Sequence, residues 1–204
     1  MRNDTSDQDR RRKRRRRRIQ VIIIYTAIAI GLAWFFESQA TTTIIFVRHA
    51  EKAIDPADDP GLSPAGQLRA AELARQLVDA DVIRGVDVIY STPFRRTKET
   101  AQAVADALDL PVNTYDVDDV EPILESILRQ HKGKIILVVA HSNTLPVLIA
   151  NLGASKRVPP IAEDEYDNIY IISIPWFGKT KTIRLRYGEP YVPEDTPGSQ
   201  PSES

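Results

Sequence analysis

Apolar residues recur in two patterns along this chain, short unbroken runs and three-and-four spacings, and each pattern predicts an element. Thr41 to Val47, TTTIIFV, is β-branched and aromatic and predicts a first strand. A loop rich in Asp, Pro and Gly follows, from Asp55 to Leu62. Ser63-Pro64 marks a helix start, because a serine side chain accepts from free amides and a proline at the first helical position forfeits no bond. Leu68, Ala71, Leu73, Ala74, Leu77 and Val78 then keep helical spacing as far as the break at Gly85. Val86 to Tyr90 predicts a second strand. Residues 94–108 predict a second helix, with Thr97, Ala101, Val104, Ala105 and Leu108 on one side. Pro111 to Tyr115 is a short third strand, and the acidic stretch Asp116 to Glu121 opens a helix running to Gln130.

Lys134 to Ala140, KIILVVA, is the most apolar run and predicts a central strand buried on both faces. Leu145 to Leu152 predicts a helix closed by Gly153. Asn168 to Ile174 and Thr180 to Arg186, separated by Pro175 and Gly178, predict a hairpin at one sheet edge. From Pro190 to Ser204 the chain is Pro, Ser, Glu and Gly and reads as a loose tail. Strands alternating with helices imply an α/β fold, a three-layer α/β/α sandwich with a mostly parallel sheet, over residues 41–189. Sites in such sheets form beyond the carboxyl ends of the strands. Three polar clusters fall there: Arg48-His49, Ser91 to Arg96, and His141-Ser142-Asn143.

The first forty residues follow a different logic. Ile19 to Phe36 is 18 residues without a formal charge. As a helix this run spans about 27 Å, near the thickness of a bilayer core. Trp34 and Phe35 stand at its far end, where aromatic rings favour the interface. Residues 1–18 carry nine Arg and one Lys against three Asp, a net +7, while the rest carries 17 basic and 25 acidic residues, a net −8. The positive-inside rule then puts residues 1–18 in the cytoplasm, residues 19–36 across the inner membrane as a single-pass signal anchor, and everything after Glu37 on the periplasmic or extracytoplasmic side. The alternative, a buried core helix, is disfavoured by so basic a neighbour. Ser38-Gln39-Ala40 has the small residues of a signal-peptidase site, but the apolar run exceeds an ordinary signal-peptide core, which favours an uncleaved anchor.

Composition narrows the chemistry. A basic block followed by an acidic body does not fit a nucleic-acid binder. With 42% hydrophobic and 27% charged residues the chain has the balance of an ordinary globular protein, and the absence of cysteine excludes a disulfide scaffold, a thiolate metal cage and a cysteine nucleophile. Two of the three histidines, His49 and His141, directly follow strands; His131 sits at a helix end and reads as solvent-facing without a role. Two such histidines can simply be buried, satisfied side chains. With Glu51 they can also be read as zinc or iron ligands. Arg48, and Arg96 if it reaches the same place, argue against a second cation, so neither metal nor cofactor is expected. Two Arg and two His suit a phosphate dianion instead. Guanidinium forks match phosphoryl oxygens, one imidazole attacks phosphorus, and the other hydrogen-bonds the developing charge.

These motifs resemble the histidine phosphatase superfamily, also called phosphoglycerate mutase-like, and within it the small phosphohistidine-phosphatase-like branch. The first mark is an Arg-His-Gly triplet after strand one, here Arg48-His49-Ala50 in FVRHAEK. The second is Ser91, Arg96, Thr100 and Ala101 in YSTPFRRTKETA, and the third is His141 in VVAHSNT. The resemblance covers residues 41–187. It implies that His49 is the nucleophile, Arg48 and Arg96 the clamps, and His141 the second histidine. Arg95 is a less suitable clamp than Arg96 by the spacing to Thr100, Ser142 and Asn143 line the phosphate pocket, and Ser91 is either part of the site or a turn or cap residue. Two departures stand out. Ala50 replaces glycine, and the family's Glu proton donor has no evident counterpart. Asp116, Asp118, Asp119 and Glu121 lie in the corresponding region, Asp118 and Asp119 also being natural helix starters, and Glu51 lies just beyond the nucleophile.

The implied activity is that of a metal-independent, membrane-anchored phosphatase acting on a phosphorylated small molecule, lipid or phosphoprotein through a phosphohistidine on His49. The alternatives are a catalytically weak anion-binding envelope module and, less favoured in so short a chain, a phosphoglycerate mutase-type phosphotransferase. The segments Ala53 to Leu62 and Lys156 to Asp167 are expected to form an acidic rim that repels polyanions such as inositol polyphosphates.

Overall fold

The computed structural model describes residues 4–37, 41–79, 85–154 and 158–193. The Ser38-Gln39-Ala40 motif and the tail beyond residue 193 lie outside them. The described chain divides after residue 40 into two compact units.

The first unit is one helix, α1 (Asp4–Glu37). It is longer than the apolar run, because Arg and Lys are good helix formers and carry the helix back through the basic block. Its segment Arg12–Phe35 is long and apolar enough to cross a bilayer by length and composition. Apolar side chains such as Ile22 and Ile30 are exposed.

The second unit is built on a six-stranded sheet of β1 (Thr42–Arg48), β2 (Val88–Ser91), β3 (Val112–Thr114), β4 (Ile135–Ala140), β5 (Asn168–Ile174) and β6 (Lys181–Arg186), in the order β3-β2-β4-β1-β5-β6. The first four strands are mutually parallel; β5 runs antiparallel to β1, and β6 antiparallel to β5. The sheet is therefore mixed rather than purely parallel: β1 to β4 are parallel, as strand-helix alternation predicts, and β5 runs against them. The link from Ile174 to Lys181 is far too short for a parallel crossover, so β6 returns as an edge hairpin.

Helices α2 (Pro64–Asp79) and α3 (Arg95–Leu108) cover one face, packing Leu73, Ala101 and Val104 on Ile45, Val47, Ile89, Leu137 and Val139. Helices α4 (Val120–Gln130) and α5 (Leu145–Asn151) cover the other, packing Ile127, Leu145 and Ile149 on Ile44, Phe46, Ile136 and Val138. Alternate residues of β1 and β4 thus feed two cores, which is why their sequences are apolar without alternation. Each fully buried Ile, Leu or Phe contributes about 1.5–3 kcal/mol.

The start of α2 fixes the strand-one loop. Ser63 Oγ accepts from the Gly66 amide at 3.1 Å, the expected cap. A Cβ on Gly66 would sit 2.2 Å from the Glu51 carbonyl oxygen, so only glycine admits this approach. At the start of α4, Asp119 holds the cap position without a side-chain bond, so neither it nor Asp118 caps the helix as expected; Asp118 only donates its amide to Asp116 Oδ1.

Candidate active site

The parallel ladder brings the two strand-end histidines together. Arg48 pairs with Ala140 across β1 and β4, and one step further the His49 amide donates to the Ala140 carbonyl at 3.0 Å. His49 and His141 therefore leave adjacent strands side by side, with ring centroids 5.3 Å apart at 64°. Both are buried. They line a cavity of about 500 Å³ with Arg48, Lys52, Phe94, Arg96, Val117, Ser142, Asn143, Ile161 and Glu163.

The hydrogen bonds fix the state of His49. Its Nδ1 lies 2.8 Å from the Ala50 carbonyl oxygen, which only accepts, so Nδ1 carries the proton and Nε2 keeps the lone pair. Burial lowers its pKa to about 3, helped by the charges of Arg48 and Arg96 and by the His141 ring, so the imidazole is neutral at physiological pH. A neutral ring with a free Nε2 is the state a nitrogen nucleophile needs.

His141 is set by a row of hydroxyls. Its Nε2 lies 3.0 Å from Thr92 Oγ1, which lies 2.7 Å from Thr97 Oγ1. Thr97 gives its proton to carbonyls, Phe94 O at 2.7 Å and Thr92 O at 3.1 Å. Thr92 therefore donates to Thr97 and accepts from His141 Nε2–H, which leaves the lone pair on Nδ1 of His141. Burial lowers the His141 pKa to about 4, with Arg96 and then Arg48 adding to the effect. The Phe94 ring meets His141 edge-on, with centroids 5.2 Å apart.

The two arginines are held differently. Arg48 is buried, donating from Nη1 to the carbonyls of Ala162 at 2.7 Å and Glu165 at 3.0 Å, with its guanidinium 4.1 Å from the Tyr166 ring centre. Burial lowers its pKa, yet a guanidinium stays charged. Arg96 enters from the first turn of α3, its guanidinium 4.6 Å from the Phe94 ring centre. Arg95 turns away: its Nε donates to Glu99 Oε1 at 2.6 Å. Thr100 ties the loop after His49 to α3, accepting from the Ala50 amide at 3.0 Å and donating to the Arg96 carbonyl at 2.8 Å. Ser91 ends β2 fully buried, and its Oγ has no hydrogen-bond partner among the described residues, so it is neither turn nor cap.

The expected proton donors are not brought to the cavity. Glu51 instead pairs with Arg69 at 2.7 Å, in a separate hollow lined by α2 and residues 188–189. Asp118, Asp119 and Glu121 are exposed and do not line the cavity, and neither does Asp116; only Val117 of that stretch does. The lining carboxyl group is Glu163. Of the two segments expected at the rim, Lys156 to Asp167 lines the cavity through Ile161 and Glu163, whereas Ala53 to Leu62 does not. The loop from Ala53 to Leu62 folds onto α3, with Leu62 N donating to Glu99 Oε2 at 2.6 Å and Arg95 N to Asp59 Oδ1 at 3.0 Å. Besides Arg48 and Arg96, the charged lining residues are Lys52 and Glu163, one of each sign.

Among the described residues no group of three or more His, Cys, Asp or Glu is placed to hold a metal ion. Sequence reasoning gave no role to Thr92, Thr97, Lys52 or Phe94, and reached Glu163 and the Arg48 anchors, Ala162 and Glu165, only as part of a rim segment. The two threonines had a local signal, hydroxyls flanking a helix start; the anchors, more than a hundred residues from Arg48, had none.

Comparison with known proteins agrees with this geometry. Residues 44–117 match the model of the histidine phosphatase superfamily (branch 1). Phosphoserine phosphatase 1 of Hydrogenobacter thermophilus is 40% identical over 79 residues, 36% of this chain and 36% of that protein, so the match spans about a third of the curated relative. The solved protein histidine phosphatase SixA, complexed with tungstate, aligns over 71% of this chain and 96% of its own at a TM-score of 0.58 and 22% identity. A phosphoglycerate mutase from Plasmodium falciparum aligns over 77% and 97% at a TM-score of 0.53 and 19% identity. At those identities the solved structures speak for the fold. The segment that matches the histidine phosphatase superfamily model holds Arg48, His49 and Arg96, so the likeness to that family falls on one side of the cavity described above.

Proposed function

We propose that this chain is a metal-independent phosphatase of the phosphohistidine-phosphatase-like branch. It hydrolyses phosphate monoesters or protein phosphohistidine outside the cytoplasm. The observation that carries the reading is the buried His49 ring, protonated on Nδ1 toward Ala50 and sharing one cavity with Arg48, Arg96 and His141. His49 Nε2 attacks phosphorus, the bond to the leaving group breaks, and the two guanidiniums hold the phosphoryl oxygens as charge shifts. Water then attacks the phosphohistidine, its proton passing to the lone pair on Nδ1 of His141, and the P–N bond breaks to release inorganic phosphate. Ser142 and Asn143 border the phosphate position.

Proton delivery to the leaving group is lightly provided, since Glu163 at the mouth is the one carboxyl among the lining residues. That favours leaving groups needing little help, such as the imidazole of a protein phosphohistidine, over simple alkyl phosphates. Rapid quench of the purified chain with labelled phosphodonor tests the reading. An acid-labile, base-stable label on His49, absent from His49→Ala, is expected; label on His141, or undiminished turnover in His49→Ala, overturns it.

The placement outside the cytoplasm rests on α1. An 18-residue uncharged run preceded by a +7 segment supports an inner-membrane anchor with its N-terminus inside. A reporter enzyme that works only outside the cytoplasm, fused after residue 45, is expected to be active; activity of a cytoplasm-only reporter there refutes the placement.

A further inference from the structure

The end of the sheet opposite the histidines has its own chemistry. Thr42, the first residue of β1, pairs with Ile174, the last of β5, so the turn from Pro175 to Thr180 lies beside the start of β1. Phe177 on that turn is 85% exposed and Trp176 51%. Lys179 and Lys181 follow, both exposed. Next to it, the Gly133 amide donates to Thr42 Oγ1 at 3.0 Å, which brings exposed Lys132 to the same end. Lys134 is there too, paired with Asp87 at 2.9 Å. No acidic residue occurs between Asn168 and Gly188, in a body whose net charge is −8. Two large aromatic rings with lysines around them, on an otherwise acidic domain, are the composition of a surface that meets a lipid interface.

Chain length supplies the occupant. Five peptide steps separate Glu37 from Thr42, a reach of about 18 Å at full extension. If α1 spans a bilayer, as proposed above, its own tether holds this end of the sheet at the bilayer surface. We propose that the β5–β6 turn docks on that bilayer. Phe177 and Trp176 enter the boundary between headgroups and acyl chains, and Lys179, Lys181 and Lys132 meet anionic headgroups. Thr42 and Arg48 are six strand steps apart, about 20 Å. The docked domain therefore presents its cavity away from the lipid, to solutes and proteins rather than to phospholipids of the same membrane.

The chain has two tryptophans, Trp34 in α1 and Trp176 in the turn, so each serves as a reporter when the other is replaced by Phe. The full chain is reconstituted in vesicles of phosphatidylethanolamine with a minor fraction of phosphatidylglycerol, with and without lipids brominated near the carbonyl end of the acyl chain. In the Trp34→Phe protein, docking predicts that brominated lipid removes most of the Trp176 emission and that acrylamide reaches Trp176 less than in detergent. Adding Phe177→Ser or omitting phosphatidylglycerol should reverse both effects in part. Quenching of Trp34 in the Trp176→Phe protein without quenching of Trp176 in its counterpart overturns docking while leaving the anchor standing. Quenching of neither overturns the anchor as well. Shielding of Trp176 that follows protein-to-lipid ratio and ignores bromination indicates a second copy on the patch and overturns the lipid assignment.

Discussion

Holding His49 neutral inside the fold makes stability sensitive to acid. Burial, with Arg48, His141 and Arg96, brings its pKa from 6.5 to about 3. In the unfolded chain the ring takes up a proton as pH falls through about 6.5. Between those values the unfolded state binds more protons than the folded one, so stability rises with pH and is lost as acid is added. At pH about 4.5 the unfolded ring is nearly all protonated and the folded ring nearly all neutral. The two-unit gap from 6.5 is then worth roughly 2–3 kcal/mol relative to neutral pH. His49→Gln keeps a polar side chain of similar reach and does not titrate. Denaturant unfolding of the detergent-solubilised full chain at about pH 7 and 4.5 should show the wild type losing roughly 2–3 kcal/mol more than His49→Gln. Carboxylates and His141 titrate in both proteins and cancel in the comparison. Equal acid losses in the two would refute a buried, neutral His49.

Other changes test the neighbours. Arg96→Ala should lower kcat/KM by roughly 10²–10³, as loss of one preorganised donor does, whereas Arg95→Ala should leave turnover nearly intact and speed hydrogen exchange at the Leu62 amide through the loosened Glu99. Thr92→Val breaks the row of hydroxyls behind His141; about a 5–10-fold loss in kcat/KM, with a shifted pH profile, corresponds to one hydrogen bond of ~1 kcal/mol. Gly66→Ala forces a Cβ against the Glu51 carbonyl and should destabilise by about 1–3 kcal/mol in denaturant titration. His131 bonds Tyr90 Oη at 2.9 Å, so His131→Ala should cost about 1 kcal/mol of stability without changing turnover.

Element positions were legible because burial writes directly into sequence: β1 and β4 carry unbroken apolar runs since each feeds two cores. Strand direction was legible where a link is short, as in the hairpin after Ile174, but a run reads the same either way, so nothing local shows that β5 lies against β1 in the reverse direction. His131 looked solvent-facing, since nothing local encodes a bond to Tyr90, forty-one residues earlier. The histidines and clamps were legible as polar clusters at strand ends. The carboxylates were not, because nearness in sequence does not set direction. Glu51 lies two residues past His49 yet is drawn to Arg69 on α2. The α1 helix outran its apolar core for the same kind of reason: hydropathy marks what a segment can bury, not where its backbone bonds stop.

Because His49 and His141 each stand one step past the paired residues Arg48 and Ala140, the distance between the two rings is inherited from the spacing of neighbouring strands, about 4.8 Å. An extra residue in β1 or β4 would turn every side chain of that strand to the opposite face, exchanging its contributions to the two cores and carrying one histidine away from the other. Length variation is therefore barred from these two strands and open to the loops. The stretch from Val158 to Glu163 reaches the cavity through Ile161 and Glu163, and there insertions or deletions would reshape what the pocket admits while leaving the two histidines in place.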